Sequence, residues 1–298
     1  MKSTKLFINV PDNFDYLSAA TSYGWVVLSP TQWMADKKSV VRIEQLSSSQ
    51  CVKLIVSGAE SGLVVSVAHE KDLSKAERVE IEQKVSTMFR LEHDFSEFYD
   101  LCSKQGKQYE CIVGKGHLMR APTVFEDIVK TICTTNTTWS GTKRMVANLV
   151  AVLGEPLYSG STEKAFPTPE KIAVLDEYAE IGSYGLGYRA AYIQELAQRV
   201  VTGDINIERW VDSKLPTGEL RKELLKVKGI GAYAASTMLM LLGRYDYLAV
   251  DSEMRSFVKS KYFSDKDDVP DRELQAVYES WGKWKYLAYW FDDECEKR

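Results

Sequence analysis

Residues 220–255 read LRKELLKVKGIGAYAASTMLMLLGRYDYLAVDSEMR, and they are the most informative part of the sequence. Leucines recur at helical spacing before the glycines, which predicts a helix there. Gly229-Ile230-Gly231 predicts a tight connection, because glycine tolerates positive φ and lets another backbone approach closely. The small side chains that follow predict a second, closely packing helix over 232–242. The stretch is therefore two helices joined by a glycine turn.

Two functional interpretations of this turn compete with a purely structural one. The letters GIGAYA also match the GxGxx[GA] fingerprint of dinucleotide-binding folds, with the acid Asp251 further along the chain. That fingerprint needs a strand before the glycines and βαβ units around them. If the chain were a nicotinamide-dependent oxidoreductase, a strand should therefore end near Lys228. The charged residues 221–223 inside a helical pattern argue against it, and a plain glycine turn between two core helices is the third alternative.

The other functional interpretation is a helix–hairpin–helix that binds DNA. Amides at the hairpin and at the start of the second helix point outward, where the helix dipole favours a phosphate. The predicted DNA-binding residues of this element are Lys228, Gly229, Ile230 and Gly231. We expect no cofactor, although a structural monovalent cation could be held at the hairpin.

Composition limits the classes of protein to consider. The chain has 298 residues, 45% of them hydrophobic, and a net charge of −4, with a slight basic excess in its middle. No apolar run approaches the ~20 residues of a membrane span, and the first residues do not resemble a secretory signal. We expect a protein that is not secreted, cytoplasmic and nucleoid-associated in a bacterium or nuclear in a eukaryote. The five cysteines form no CxxC pair, so no metal site is predicted.

The pattern of hydrophobic residues changes along the chain. Three β-branched runs, 40–46, 52–58 and 62–67, predict an antiparallel meander, followed by a helix over 73–89. Beyond about residue 125 only helical patterns are found, and the last of them predicts a helix over about 271–292. The sequence therefore predicts an α+β fold: a small N-terminal antiparallel β-sheet domain (1–112) and a mostly α-helical domain (113–298).

Several segments together resemble the helix–hairpin–helix (HhH-GPD) DNA glycosylase superfamily, in its 8-oxoguanine DNA glycosylase and 3-methyladenine DNA glycosylase II-like branch. In that family an essential aspartate opens a helix about 20 residues after the hairpin, as Val250-Asp251-Ser252 does here. The further similar segments are 132–136, 145–146, 185–190, 281–284 and, more loosely, the β-rich region, which would be a TBP-like sheet with a helix.

The resemblance implies a role for each matching residue. Asp251 would be the catalytic carboxylate that stabilises an oxocarbenium-like sugar, and it would also suit the N-cap of the helix that follows. Asn136 and Arg189 would fill the gap left by a flipped base, with Tyr188 as a stacking wedge. The partner would be double-stranded DNA containing damaged bases, bound by a monomer.

Two departures from the family pattern bear on the reaction. Bifunctional members carry a lysine two residues after the hairpin, whose amine forms a Schiff base with the sugar. Tyr233 stands at this position, which predicts a monofunctional glycosylase without lyase activity. No cysteine cluster follows Asp251, so the iron–sulfur module of other branches is not expected.

The substrate is predicted from the residues at the expected base pocket, Tyr233, Tyr289 and Trp290. Tyr289 replaces the glutamine that reads the base edge in the oxoguanine branch, and Gly141 replaces an arginine that selects the opposite cytosine. Clustered aromatic rings suit a cationic alkylated purine such as 3-methyladenine through cation–π attraction. An 8-oxoguanine-type glycosylase and a catalytically silent lesion-binding protein are the alternatives.

Overall fold

The computed structural model describes residues 1–174 and 185–292. Within these residues, five strands form one antiparallel sheet: β1 (Lys2–Asn9), β2 (Thr31–Met34), β3 (Ser39–Gln45), β4 (Cys51–Ala59) and β5 (Gly62–His69). Their order across the sheet is β1-β5-β4-β3-β2. The three predicted β-branched runs lie in β3, β4 and β5, which confirms the meander.

One face of the sheet is fully buried. Side chains alternate between the two faces of a strand, so every second residue of β4 and β5 points to the same side. On this side are Val52, Leu54 and Val56 of β4 and Leu63, Val65 and Val67 of β5. All six are at most 1% exposed. Burial of this apolar surface is the main stabilising contribution to this part of the chain.

A helix that the sequence predicted shares the core of the sheet. Residues Ile81, Val85 and Phe89 of α2 (Lys75–Phe89) belong to the same buried cluster as the strands. Ser74 and Glu77 cap the start of α2 with reciprocal hydrogen bonds between side chain and backbone, which form a capping box. The β-rich region is therefore a sheet with a helix, as the sequence predicted.

Twelve α-helices are found in the described residues, most of them where the sequence predicted helix. Apart from α2 they are α1 (Tyr16–Thr21), α3 (Ser96–Gln105), α4 (Val124–Thr134), α5 (Trp139–Leu153), α6 (Pro169–Ala173), α7 (Arg189–Val201), α8 (Thr217–Leu225), α9 (Ala232–Leu241), α10 (Ser252–Tyr262), α11 (Asp271–Ala276) and α12 (Lys285–Phe291). None of the described helices is long and apolar enough to cross a bilayer.

The prediction for the last helix is wrong about its length. The sequence predicted one helix over about 271–292, whereas the structure has α11, a 3₁₀ segment (Glu279–Trp284) and α12. Gly282 adopts φ 55° and ψ −123°, a conformation outside the helical region, and it interrupts the hydrogen-bond ladder. The chain therefore changes direction before the aromatic residues of α12.

The contacts divide the chain into two compact units. The first comprises Met1–Asp94 and Gly114–Arg209, and the second comprises Phe95–Val113 and Trp210–Arg298. The first unit holds the sheet, α4, α5 and α7, and the second holds the glycine turn and α8–α12. These units differ from the sequential division at 112/113, and that domain boundary stays a prediction.

Helix α4 is attached to the sheet of the first unit through buried charges. The Arg42 guanidinium of β3 donates to both carboxylate oxygens of Glu126, at 2.9 and 2.6 Å. Lys130 Nζ lies 2.8 Å from the same carboxylate, and all three side chains are at most 2% exposed. Because buried charges are costly unless they are paired, this cluster fixes how α4 lies on the sheet.

Candidate active site

The glycine turn of the second unit connects α8 to α9 over residues 226–231. Gly229 has φ 86°, which glycine adopts without the steric cost of a side chain. The Ile230 amide donates to the Val227 carbonyl at 3.1 Å, and both side chains are buried beneath the turn. Lys228 is exposed beside it. A helix precedes the glycines, so the dinucleotide interpretation, which needs a strand there, is wrong.

The start of α9 is open to solvent. Gly231 is the N-cap residue of α9, and Gly231, Ala232 and Tyr233 are all exposed. A Cβ atom added to Gly231 would meet no atom of the described chain within 4 Å. First-turn amides have no acceptor inside their own helix, and the helix dipole adds positive potential. This arrangement can bind an anion such as a phosphate group.

Asp251 begins α10 in the same unit. Its Oδ1 accepts the backbone N–H of Met254 at 2.8 Å, which makes it the N-cap residue of the helix, as expected. The side chain is half-buried, so its carboxylate is held in one place but is not sealed from solvent. A fixed carboxylate of this kind can stabilise a developing positive charge.

Three tyrosines lie within electrostatic range of this carboxylate, and we call Tyr233, Tyr286 and Tyr289 the tyrosine group. Burial raises the pKa of all three phenols, and the negative charge of Asp251 raises each of them further. Each phenol therefore keeps its proton at neutral pH. Tyr233 is 49% exposed and shares a side-chain hydrogen bond with Thr237.

Two members of the tyrosine group, Tyr286 and Tyr289, lie on α12 and contact further aromatic rings there. The rings of Tyr286 and Tyr289 are 6.2 Å apart and nearly perpendicular, and Trp290 stacks on Tyr286 at 6.1 Å. The predicted pocket residues Tyr233, Tyr289 and Trp290 therefore lie in one group with Asp251. Tyr286 belongs to this group as well.

Sequence reasoning missed a buried carboxylate at the end of α12. Asp292 is 2% exposed and accepts hydrogen bonds from the hydroxyls of Tyr262 at 2.7 Å and Tyr278 at 2.8 Å. The Tyr278 ring in turn contacts Tyr289 at 5.8 Å. Through Tyr278, this hydrogen-bond network is connected to the tyrosine group. Its members are separated by up to 30 residues with no recognisable spacing, so no sequence signal could have revealed it.

A second set of predicted residues comes together in the first unit. Asn136, which follows α4 with φ 47°, donates from Nδ2 to the Tyr188 hydroxyl at 3.2 Å. Both side chains are exposed, and Tyr188 is 51% accessible. This hydrogen bond is the largest cause of a lowered pKa at the Tyr188 phenol. Two exposed side chains 52 residues apart thus form one projecting pair.

Arg189 occupies a different position from the one expected of a residue that reaches into DNA. Its side chain is 7% exposed, and its guanidinium donates to the carbonyls of Thr135 and Asn136, the latter at 3.2 Å. The guanidinium also lies 4.6 Å from the centre of the Tyr188 ring. In this structure Arg189 holds the turn after α4 and the ring of Tyr188 in place. Its predicted contact with an unpaired base stays a prediction.

Comparison with known proteins assigns the family. The model of the HhH-GPD superfamily base excision DNA repair protein matches residues 129–283, more than half of the chain. The chain belongs to the HhH-GPD superfamily. The region of the chain that matches the superfamily model includes Asn136, the glycine turn and Asp251.

Other HhH-GPD proteins share the fold at low sequence identity. The 8-oxoguanine glycosylase/lyase of Clostridium acetobutylicum has a TM-score of 0.72 at 21% identity, with 97% of each chain covered. The 3-methyladenine DNA-glycosylase of Archaeoglobus fulgidus has a TM-score of 0.73 at 17% identity, with 98% of each chain covered. These similarities establish the common fold.

One curated relative is the N-glycosylase/DNA lyase of Saccharomyces cerevisiae, 24% identical over 202 residues. The match covers 64% of this chain and 54% of the relative. The chain therefore spans little more than half the length of the curated relatives it matches.

Proposed function

We propose that this protein is a monofunctional DNA glycosylase of base excision repair, which hydrolyses the N-glycosidic bond of a flipped damaged purine. The observation that carries the proposal is the position of Asp251. It is a helix-capping, half-buried carboxylate whose charge acts on three protonated tyrosines of a HhH-GPD protein. A site that breaks a C–N bond at a sugar needs such a carboxylate and a neutral surface for the base.

In this proposal the two sets of residues bind different parts of a DNA duplex. The amides around Gly231, with Lys228 beside them, take a backbone phosphate. Asn136 and Tyr188 enter the space that the flipped base leaves, and Arg189 keeps them in position. A monovalent cation at the hairpin, bound by the backbone carbonyls of the turn, belongs to this proposal. The partner is damaged double-stranded DNA bound by a monomer, in the cytoplasm or the nucleus.

The proposed chemistry needs only water and the carboxylate of Asp251. The C1′–N bond breaks first and its electron pair stays on the base, and the oxygen of water then bonds to C1′. Asp251 stabilises the positive sugar between these events, and the proton of the water passes to the carboxylate or to solvent. Losing one such interaction typically costs a reaction about 100-fold in rate.

The absence of lyase activity is proposed from Tyr233. A Schiff base with the sugar requires an amine, and the exposed first turn of α9 presents the phenol of Tyr233 at the position in question. The base would therefore be released with the strand intact at an abasic site. An alkylated purine such as 3-methyladenine is the proposed substrate, because protonated tyrosines and Trp290 present electron-rich rings to a cationic base.

The test combines base release with trapping. Duplexes containing 3-methyladenine, 8-oxoguanine or hypoxanthine are incubated with the protein, and free base and strand breaks are measured. We expect released 3-methyladenine, strand cleavage only after alkali, and no covalent complex with borohydride. A trapped complex would refute the monofunctional part. Binding to lesion duplexes without release of any base would show a lesion-binding protein, and preferential release of 8-oxoguanine would overturn the alkyl-base part.

A further inference from the structure

Glu253 lies close to the tyrosine group, although no role has been assigned to it. It is exposed at the second position of α10, four residues before Phe257. Residues four apart share one face of a helix. The Phe257 ring contacts Tyr289 of α12 at 6.0 Å. The face of α10 that carries Glu253 is therefore the face that meets the tyrosine group.

The charge of Glu253 reaches the same phenols as the charge of Asp251. After burial, both carboxylates contribute to the raised pKa of Tyr233 and of Tyr289. Two negative charges thus act on one small aromatic surface, and each lies within electrostatic range of it.

Cations on the neighbouring elements are engaged with other carboxylates. Arg255 pairs with Asp271, Lys261 with Asp292 at 3.3 Å, and Lys285 with Glu279 at 2.8 Å. These ion pairs partly offset the positive charges of Arg255, Lys261 and Lys285. The carboxylates whose charges act on Tyr233 and Tyr289 are Asp251 and Glu253.

We infer that Glu253 is a specificity-determining residue that makes the pocket select a base with a formal positive charge over a neutral base of the same shape. The inference rests on the proposed function, since it assigns the tyrosine group to the flipped base. A cationic base leaves the sugar as a neutral molecule and needs no proton. A neutral base needs an acid, and phenols with raised pKa values are poor acids.

The charge of Glu253 also complements the dipole at the start of α10, so a purely structural role has to be separated from selection. Loss of a helix-dipole interaction lowers stability but leaves the choice between a charged and a neutral base unchanged. The ratio of the two affinities is therefore the informative quantity.

The experiment measures binding without DNA and without chemistry. The permanently cationic base 3,9-dimethyladeninium and the neutral base 9-methyladenine are titrated against the protein, with intrinsic fluorescence as the readout. We expect the wild type to prefer the cation and Glu253→Gln to reduce this preference about tenfold. Glu273→Gln, which removes an exposed charge of α11 paired with Lys266, is the matched control and should keep the preference.

Each outcome decides between the possibilities. A wild type that does not prefer the cation, or a Glu253→Gln variant that retains the full preference, would overturn the inference. Thermal unfolding of both variants shows whether they are folded. Base release from alkylated duplexes is measured in parallel, so a protein that prefers the cation but releases no base would refute the proposed glycosylase and not the role of Glu253.

Discussion

The carboxylate of Asp251 accepts the backbone N–H of Met254 at 2.8 Å, so the proposed catalytic residue is also the cap of α10. The two roles use different properties of the side chain. Capping needs an acceptor oxygen, which asparagine also supplies, whereas stabilising a positive sugar needs the negative charge. The roles can therefore be separated by substitution.

Asp251→Asn is expected to keep the stability and DNA binding of the wild type and to lose at least about 100-fold in single-turnover base release. Asp251→Ala removes the cap as well and should lower the free energy of unfolding by about 1 kcal/mol. Urea unfolding and single-turnover kinetics measure the two effects. Equal rates of base release in Asp251→Asn and the wild type would contradict the catalytic role.

Gly231→Val is expected to weaken DNA binding while leaving the free protein nearly as stable. A Cβ atom at this position meets nothing in the described part of the chain within 4 Å, and the backbone φ of −87° suits any residue. The new side chain would occupy the space through which a phosphate approaches the amides. Gly229→Val is the contrasting variant, because φ 86° penalises a side chain in the folded protein itself. Unchanged affinity of Gly231→Val for duplex DNA would exclude a phosphate at this turn.

Asn136 and Tyr188 are expected to act as a pair. Tyr188→Phe removes the hydroxyl that accepts the 3.2 Å hydrogen bond from Asn136, and Asn136→Ala removes the donor. Tyr188→Phe removes an exposed hydroxyl and should alter stability by no more than about 0.5 kcal/mol. Asn136→Ala should cost somewhat more, about 1 kcal/mol, because Asn136 has a φ of 47°, which asparagine tolerates better than alanine. Affinities for a duplex with an abasic site are measured in a double-mutant cycle, and we expect the losses to be non-additive. Strict additivity would mean that the two side chains do not act together on DNA.

The first unit is expected to lose stability in mild acid because of two histidines. Burial is the main cause that lowers the pKa of His117 to about 4 and that of His93 to about 3, below the ordinary 6.5. Between these pKa values and 6.5, the two histidines are protonated in the unfolded chain but neutral in the folded chain. Their contribution to the free energy of unfolding is fully present above pH 6.5 and falls toward pH 4, by about 1.4 kcal/mol per pH unit for each histidine.

Urea unfolding at about pH 7 and about pH 5, on either side of the ordinary histidine pKa, measures this loss. His117→Gln removes one of the two titrating groups and should make the dependence on pH less steep. An unchanged slope in this variant would show that His117 does not carry the effect.

The sequence predicted the central strands better than the edge strands, and the reason is burial. β3, β4 and β5 lie inside the sheet and are rich in β-branched residues, whereas β1 and β2 form its two edges. In β1, for example, Lys5 and Phe7 are exposed, so the hydrophobic pattern is weak. The glycine turn and the cap at Asp251 were predictable because each depends on neighbouring residues alone.

Tertiary interactions could not be predicted in the same way. The buried position of Arg189 depends on carbonyl groups more than 50 residues earlier in the chain. The carboxylate of Asp292 likewise meets its partners only after α10 and α12 have packed. Local patterns report the type of an element, but they contain no information about which distant polar groups will satisfy one another.

The buried cluster of Arg42, Glu126 and Lys130 should make the protein sensitive to mutations far from the proposed DNA-binding residues. Asn136 lies directly beyond the helix that this cluster fixes to the sheet, so an error in the placement of α4 is passed on to the residue proposed to enter DNA. Replacing Arg42 would leave Glu44 and Glu126 buried, each with one counter-ion fewer. A survey of inactive variants should therefore recover substitutions of Arg42, even though its side chain is buried.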